Sequence, residues 1–348
     1  MASVSCPSGM HGMTELLPRF LAGFFPVLIF LSLLIYLDSY KLVRLRWVIF
    51  TIALGAVAAV VSYAANGWLL SRFTIDFTTY SRYVSPVVEE SAKALVLVWL
   101  IRSQRTGFLV DASILGFAAG AGFALLENAH YLRSISDTHL VVWVIRGLGT
   151  AVMHGGTTAI FAITSQLLAE IKSPKQISIF VPGLLAAMLL HSLFNHLFFS
   201  PVFSTLVTLL VFPLLIFLVF EKGEKSLQDW LEVGFDANTE LLELMNSGRL
   251  SESKVGKYLQ SLREKFSGEI VVDLLCYLRI HLELSLRAKG ILMMREAGFE
   301  AKPDKETRAL FEELRYLEGS IGKTGKLALQ PFLHVSGKEL WQLYMIGK

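Results

Sequence analysis

Residues 116–132 read GFAAGAGFALLENAHYL, the second half of an apolar stretch running from about 108 to 130. At about 1.5 Å of rise per residue, such a stretch crosses the roughly 30 Å hydrocarbon core of a bilayer as one helix. Gly116 and Gly120 stand four apart, on one helical face, where the lack of side chains lets a neighbouring helix come very close. Phe123 and Glu127 are also four apart. A carboxylate in such a segment costs several kcal/mol unless it faces protein or a wet cavity. The run therefore predicts a helix packed among other membrane helices.

Six further stretches of the same kind surround it, at roughly 20–37, 47–70, 84–101, 140–169, 177–199 and 202–220. The first, second and last carry little besides apolar residues and read as lipid-solvated spans. Composition agrees: of 348 residues 53% are hydrophobic and 18% charged, and the mean hydropathy is +0.54, which excludes an ordinary soluble globule. Residues 1–220 hold 13 of the 32 Lys and Arg and 9 of the 29 Asp and Glu. The remainder falls in residues 221–348, where LLELMNSG, VGKYLQSLREKF and IVVDLLCYLRIHLELSLRAKG repeat with a helical period, broken by Gly and Pro303. The expected fold is all-α: a polytopic membrane helix bundle of about seven spans followed by a soluble helical C-terminal domain. Its parts are a short N-terminal segment 1–19, a transmembrane domain 20–220 and a cytoplasmic helical domain 221–348, whose task is regulation, binding a cytoplasmic partner or assembly.

The formal net charge of +3 is spread without a strong positive field, so nucleic acid is not an expected partner. Cys6 and Cys276 form neither a CxxC nor a paired framework, which argues against disulfide stapling and against a thiolate zinc site. MASVSCPSGMHGMTELLPRF has no basic n-region and no small-residue cleavage site, so no cleaved signal peptide is expected. Lys41, Arg44, Arg46, Arg102, Arg105, Lys172, Lys175, Lys222 and Lys225 fall on one side of the predicted membrane, against Arg19, Arg72, Arg82 and Arg133 on the other. By the positive-inside rule the N-terminus is outside and residues 221–348 are cytoplasmic.

Ionisable residues mark four of the spans. In span three, Pro86 precedes Val88-Glu89-Glu90-Ser91-Ala92-Lys93. At about 100° per residue, Lys93 falls roughly 40° from Glu89 and 60° from Glu90, so its ammonium reaches either carboxylate and offsets their repulsion. Span four contributes Glu127 beside Asn128, span five His154, and span six His191 and Asn195, four apart on one face. His196 lies about 140° round from His191 and faces elsewhere. Each acid read alone is also compatible with a hydrated helix end, and each histidine with a satisfied core residue. Under the topology above, however, all of them fall between mid-membrane and the outer surface. Such a set suits hydrolysis: a carboxylate takes a proton from water, imidazoles stabilise developing negative charge, and an amide donates to the oxyanion. With Glu127, His154 and His191 as ligands, a divalent metal such as zinc would lower the pKa of bound water; without metal, a glutamate-activated water has to suffice. No local HExxH-type signature separates the two.

In order and spacing, Glu89-Glu90-x-x-Lys93, Phe123-x-x-x-Glu127, His154 and His191-x-x-x-Asn195 resemble the four motifs of the PrsW family of bacterial intramembrane proteases. That family belongs to a wider superfamily with the CaaX prenyl endopeptidases and bacteriocin-immunity-type membrane proteins. The resemblance covers about residues 84–200 and does not reach 221–348. It implies an inner-membrane protease that cuts a single-span membrane protein of the anti-sigma-factor type in or near its extracytoplasmic juxtamembrane part. By position, Glu89 and Glu90 would be the essential acidic pair, Lys93 its partner, and Glu127, His154, His191 and Asn195 the rest of the site. The CaaX branch has a longer first motif ending in Arg and a His in place of the second-motif Glu. The departure here argues against prenylated substrates. Two other classes share the polar cluster: a non-catalytic scaffold or immunity-type protein, in which it holds helices together, and a proton-coupled transporter, which would show inverted repeats that this sequence lacks.

Overall fold

The computed structural model describes residues 9–134, 139–196 and 200–333. Most of the predicted N-terminal segment's first half with Cys6, the end of span six at 197–199 and the stretch 334–348 of the C-terminal domain lie outside the described residues. Among the described residues every regular element is helical. They are α1 Gly9–Leu37, α2 Leu45–Arg72, the single turn α3 Phe77–Thr79, α4 Ser85–Arg102, α5 Leu109–Ser134, α6 Leu140–Ile145, α7 Ala151–Ile171, α8 Val181–His196, α9 Pro201–Asn246, α10 Lys254–Ser261, α11 Gly268–Glu296 and α12 Lys305–Leu329. Wider π-helical turns join α3 to α4 at Tyr80–Val84 and α6 to α7 at Arg146–Thr150.

Among the described residues five helices are long and apolar enough to cross a membrane: Leu16–Leu37, Leu45–Arg72, Leu109–Ser134, Ile177–His196 and Pro201–Asn246. The other two expected spans are helical as well, but each departs from a plain apolar rod for a physical reason. α4 is short and carries Glu89, Glu90, Lys93 and Arg102; α6 and α7 are parted by a π turn that bears Arg146.

The chain divides into two compact units, Met1–Asp38 with Leu42–Glu221, and Ser39–Lys41 with Lys222–Lys348. The first is organised around α5, which is buried along its length from Leu109 to Ala124. Its start is fixed by Asp111, whose carboxylate accepts from the backbone N–H of Gly107 (2.8 Å) and Phe108 (2.9 Å), satisfying donors that a helix N-terminus leaves open. The predicted close approach is present: a Cβ on Gly116 would meet the α7 backbone at Ala159, and one on Gly120 would meet the His154 carbonyl. On the opposite side Gly55 of α2 and Gly122 of α5 bring those two helices together in the same way. α5 is thus gripped between α2 and α7, so α2 is more than the lipid-solvated span its composition suggested. Its outer face is still apolar and exposed at Ile49, Val57, Val60 and Val61.

In the second unit α10, α11 and α12 close over a core of Leu259, Leu274, Leu278, Leu282, Leu314, Leu317 and Ile321. Ser253 caps α10 by accepting from Gly256 N–H, and Asp304 caps α12 by accepting from Thr307 N–H. His281 is buried in α11. Burial, helped by Lys326 of α12 and Lys289 of its own helix, pushes its pKa down to about 4.

Two expectations follow. Gly120→Ala should destabilise the full-length protein in detergent by about 1–3 kcal/mol through overpacking, seen as a lower thermal midpoint, while Gly67→Ala, inside α2 with open space around it, should keep or slightly raise the midpoint. For His281 the unfolded chain binds the proton near pH 6.5 and the folded one near 4, so its neutral form contributes stability above about 6.5 that is lost as the pH falls toward 4. Hydrogen exchange across α11 should rise between pH 7 and 4.5, after correction for intrinsic rates, and His281→Leu should reduce that rise.

Candidate active site

Four helices bring their polar side chains to one place. From α4, the Glu90 side chain is almost wholly enclosed, and its Oε1 accepts from Lys93 Nζ at 2.5 Å and from His191 Nδ1 of α8 at 2.8 Å. The Thr157 hydroxyl of α7 lies 3.3 Å from the same oxygen. Lys93 is itself fully buried. Its remaining N–H bonds go to His154 Nδ1 of α7 at 3.1 Å and toward the face of the Phe123 ring, 4.9 Å from the centroid. Two hydrogen bonds and an aromatic face thus surround this ammonium, the kind of compensation a cation in an apolar interior needs.

Donor bookkeeping fixes the His154 ring and one nitrogen of His191. Because Lys93 only donates, His154 Nδ1 accepts, and the ring proton sits on Nε2, which donates to Glu127 Oε2 of α5 at 3.1 Å. His191 Nδ1 donates to Glu90, and its Nε2 lies 3.9 Å from Glu89 Oε2. The two rings meet edge to face at 4.8 Å. Phe123 lies against His154 at 5.0 Å, so the Phe123 and Glu127 face read from the sequence is the face turned to the site.

Glu89 differs from Glu90 in both partners and access. Its Oε1 accepts from Ser85 Oγ at 2.5 Å, and Asn66 Nδ2 of α2 lies 3.5 Å from it and donates to Ser85 Oγ at 3.2 Å. Tyr80 in turn donates to Asn66 Oδ1 at 2.8 Å. Its side chain retains 13% exposure against 1% for Glu90. Adjacent residues on a helix point about 100° apart, and here that angle separates a closed carboxylate from a reachable one.

Asn195 has a different place from the one expected. Its amide donates to the Ser81 carbonyl at 2.9 Å, and Ser192 donates to the Arg82 carbonyl at 2.6 Å. Both carbonyls belong to the π turn before α4. Pro86 has no N–H, so it offers no backbone donor to the turn preceding it, and α8 supplies side-chain donors instead. His196 faces away, as read from its angle, donating through Nδ1 to the Ser192 carbonyl at 2.6 Å and meeting the Tyr83 hydroxyl at 3.0 Å.

The metal-ligand set also changes. Glu89, His154 and His191 each offer a ligand atom within 4.8 Å of the others, so Glu89 stands where Glu127 was expected. Glu127 is occupied by His154 and by Arg146, whose Nη2 is 3.4 Å from Oε2. A carboxylate and two imidazoles are a donor set that suits a divalent ion; to hold one, the three would close from within 4.8 Å toward the roughly 3.3 Å between ligands of a tetrahedral ion, and His154 Nδ1 would give up its bond from Lys93.

The comparisons with known proteins agree with this geometry. A family model described as PrsW family intramembrane metalloprotease matches residues 43–220. The chain belongs to the PrsW family. No curated protein and no solved structure matches it. The family is one of intramembrane proteases, and the PrsW-matching segment contains all seven residues singled out from the sequence. Sequence reasoning missed Arg146, Thr157, Ser85 and Asn66. Two of these had a signal: Arg146 is an ionisable residue inside a predicted span, and Thr157 lies one turn beyond His154 on its face.

Asn195→Ala should leave the Ser81 carbonyl short of a donor, destabilising the protein by about 1–3 kcal/mol and lowering its thermal midpoint together with activity. Loss of activity at unchanged thermal stability would instead place this amide on the substrate.

Proposed function

We propose that this PrsW-family protein is an intramembrane endopeptidase that hydrolyses a peptide bond in a single-span membrane protein of the anti-sigma-factor type. The supporting observation is the convergence of five side chains from three helices inside a bundle of apolar helices: Glu90, Lys93, His154 and His191 are linked by hydrogen bonds, and Glu89 lies 3.9 Å from His191. In this reading α4 and the α6–α7 stretch also span the bilayer, making seven crossings. The N-terminus is outside, the segment 221–348 is a separate cytoplasmic domain available to a partner there, and the membrane is the inner one. The site then lies in the outer half of the membrane, where a juxtamembrane cleavage point would reach it.

Glu89 is the water-activating group. The 3.9 Å between its Oε2 and His191 Nε2 is too long for a direct hydrogen bond and suits one intervening water. That water donates one proton to the carboxylate and the other to the imidazole lone pair, which turns its oxygen toward a substrate carbonyl carbon. As water attacks, Glu89 takes the proton, and it later returns it to the leaving amine. Glu90 holds His191 in the tautomer that leaves Nε2 free. The negative charge of the tetrahedral intermediate develops beside the buried Lys93 ammonium, in surroundings where fixed charges act strongly. A divalent ion such as zinc, held by Glu89, His154 and His191, would supply Lewis acidity and a more acidic bound water; Glu90 on His191 Nδ1 would then be the outer carboxylate that orients a ligating imidazole.

The test is cleavage of a single-span reporter by full-length protein in membranes. Glu89→Gln should abolish cleavage while the protein still assembles, and Glu90→Gln should do the same with some loss of stability, since three donors lose their charged partner. Undiminished cleavage by folded Glu89→Gln rejects the assignment. If instead every variant fails to assemble and the parent cleaves nothing, the cluster is scaffold. Metal analysis of active protein and its sensitivity to chelators decide the role of zinc.

A further inference from the structure

Arg146 carries the strongest unassigned role in the molecule. It opens the π-helical turn Arg146–Thr150, and three contacts fix its guanidinium. Nε donates to Asn128 Oδ1 at 2.9 Å, Nη2 lies 3.4 Å from Glu127 Oε2, and Cζ sits 3.7 Å from the centroid of the Tyr131 ring. Asn128 is anchored in turn, donating from Nδ2 to the Gly23 carbonyl of α1 at 2.7 Å. The turn itself is pressed against α1, since a Cβ on Gly147 would meet the Ala22 carbonyl. The guanidinium is therefore set in place by the fold, independently of Glu127.

Glu127 depends on it. Its side chain keeps 25% exposure, the most of any acid in the cluster, and a carboxylate so placed turns to water unless something holds it. Its Oε2 is the acceptor for His154 Nε2, and His154 Nδ1 is the acceptor for Lys93. A continuous chain results: the Arg146 guanidinium is ion-paired with Glu127 at 3.4 Å without a hydrogen bond from Nη2, and directed hydrogen bonds then run from His154 to Glu127, Lys93 to His154, Lys93 to Glu90 and His191 to Glu90.

We propose that Arg146 is a positioning residue: it clamps the Glu127 carboxylate on His154 and thereby sets which ring nitrogen of His154 carries the proton. Its bearing on turnover rests on the peptidase reading above; its effect on the His154 ring does not. Lysine replaces it poorly, because a compact ammonium lacks the planar group that lies on the Tyr131 ring while Nε bonds Asn128 and Nη2 faces Glu127.

The experiment uses full-length protein in detergent with 15N-labelled histidine, the His154 signals being identified by their loss in His154→Asn. The parent should show one tautomer, protonated at Nε2, and Arg146→Gln should show a mixture. An unchanged Nε2–H pattern in Arg146→Gln overturns the proposal. Where Arg146→Gln does not fold, Arg146→Lys and Asn128→Ala give the same reading, a mixed tautomer being expected in each and an unchanged one overturning it. With the single-span reporter, Arg146→Gln should lower kcat on the order of 10- to 100-fold at unchanged KM, and the double variant with Glu127→Gln should be no slower than Glu127→Gln alone. Additive losses, or a change in KM alone, overturn the positioning role. A parent that cleaves nothing counts against the peptidase reading only, and the tautomer still decides the case for Arg146.

Discussion

A carboxylate and an ammonium closed inside an apolar bundle must satisfy one another and every neighbour that touches them, and that requirement at Glu90 and Lys93 orders the rest of the structure. A donor left unfilled inside such a bundle is costly. Glu90 therefore gathers Lys93, His191 and the Thr157 hydroxyl, and Lys93 gathers His154 and Phe123. Those partners sit on α5, α7 and α8, so the pair can be buried only if three other helices come within side-chain reach of α4. The glycines of α5 make that approach feasible: without side chains at 116 and 120, α7 lies directly on α5, and His154 is delivered to the Lys93 ammonium.

The same arrangement divides labour between neighbouring acids. Glu90 is enclosed and spends its oxygen on three donors; Glu89 is tied through Oε1 to Ser85 and turns Oε2 toward His191 with some access left. A helix offers adjacent positions that differ by about 100°, so two identical side chains acquire different surroundings with no change in backbone. One can organise the imidazole while the other meets a reactant.

Much of this was legible in the amino acids. Glu89, Glu90, Lys93, Glu127, His154 and His191 announce themselves because charge inside an apolar run needs a reason, and Gly116 with Gly120 announce a close neighbour. Membership in the PrsW family, now shown over residues 43–220, could also be read from those motifs. What periodicity cannot supply is distance between helices. That Glu89 rather than Glu127 groups with the two histidines depends on how far Arg146 reaches from another element. Asn195 looked like part of the reacting set because it shares a face with His191. Its bond to a backbone carbonyl follows from Pro86, more than a hundred residues earlier, and from a turn whose width is not written in any local pattern. Asn66, in a span that reads as plain, was invisible for the same reason.

The π turn at Tyr80–Val84 also sets an angle. A helix that holds one additional residue in a turn advances by about 100° relative to an uninterrupted one. Everything after Ser85 is thus rotated against the segment before it, and the carboxylates point inward because of that phase slip. The aim of the acidic pair is thereby stored outside the acidic pair, in a local overcount of backbone held open by two polar side chains of a distant helix.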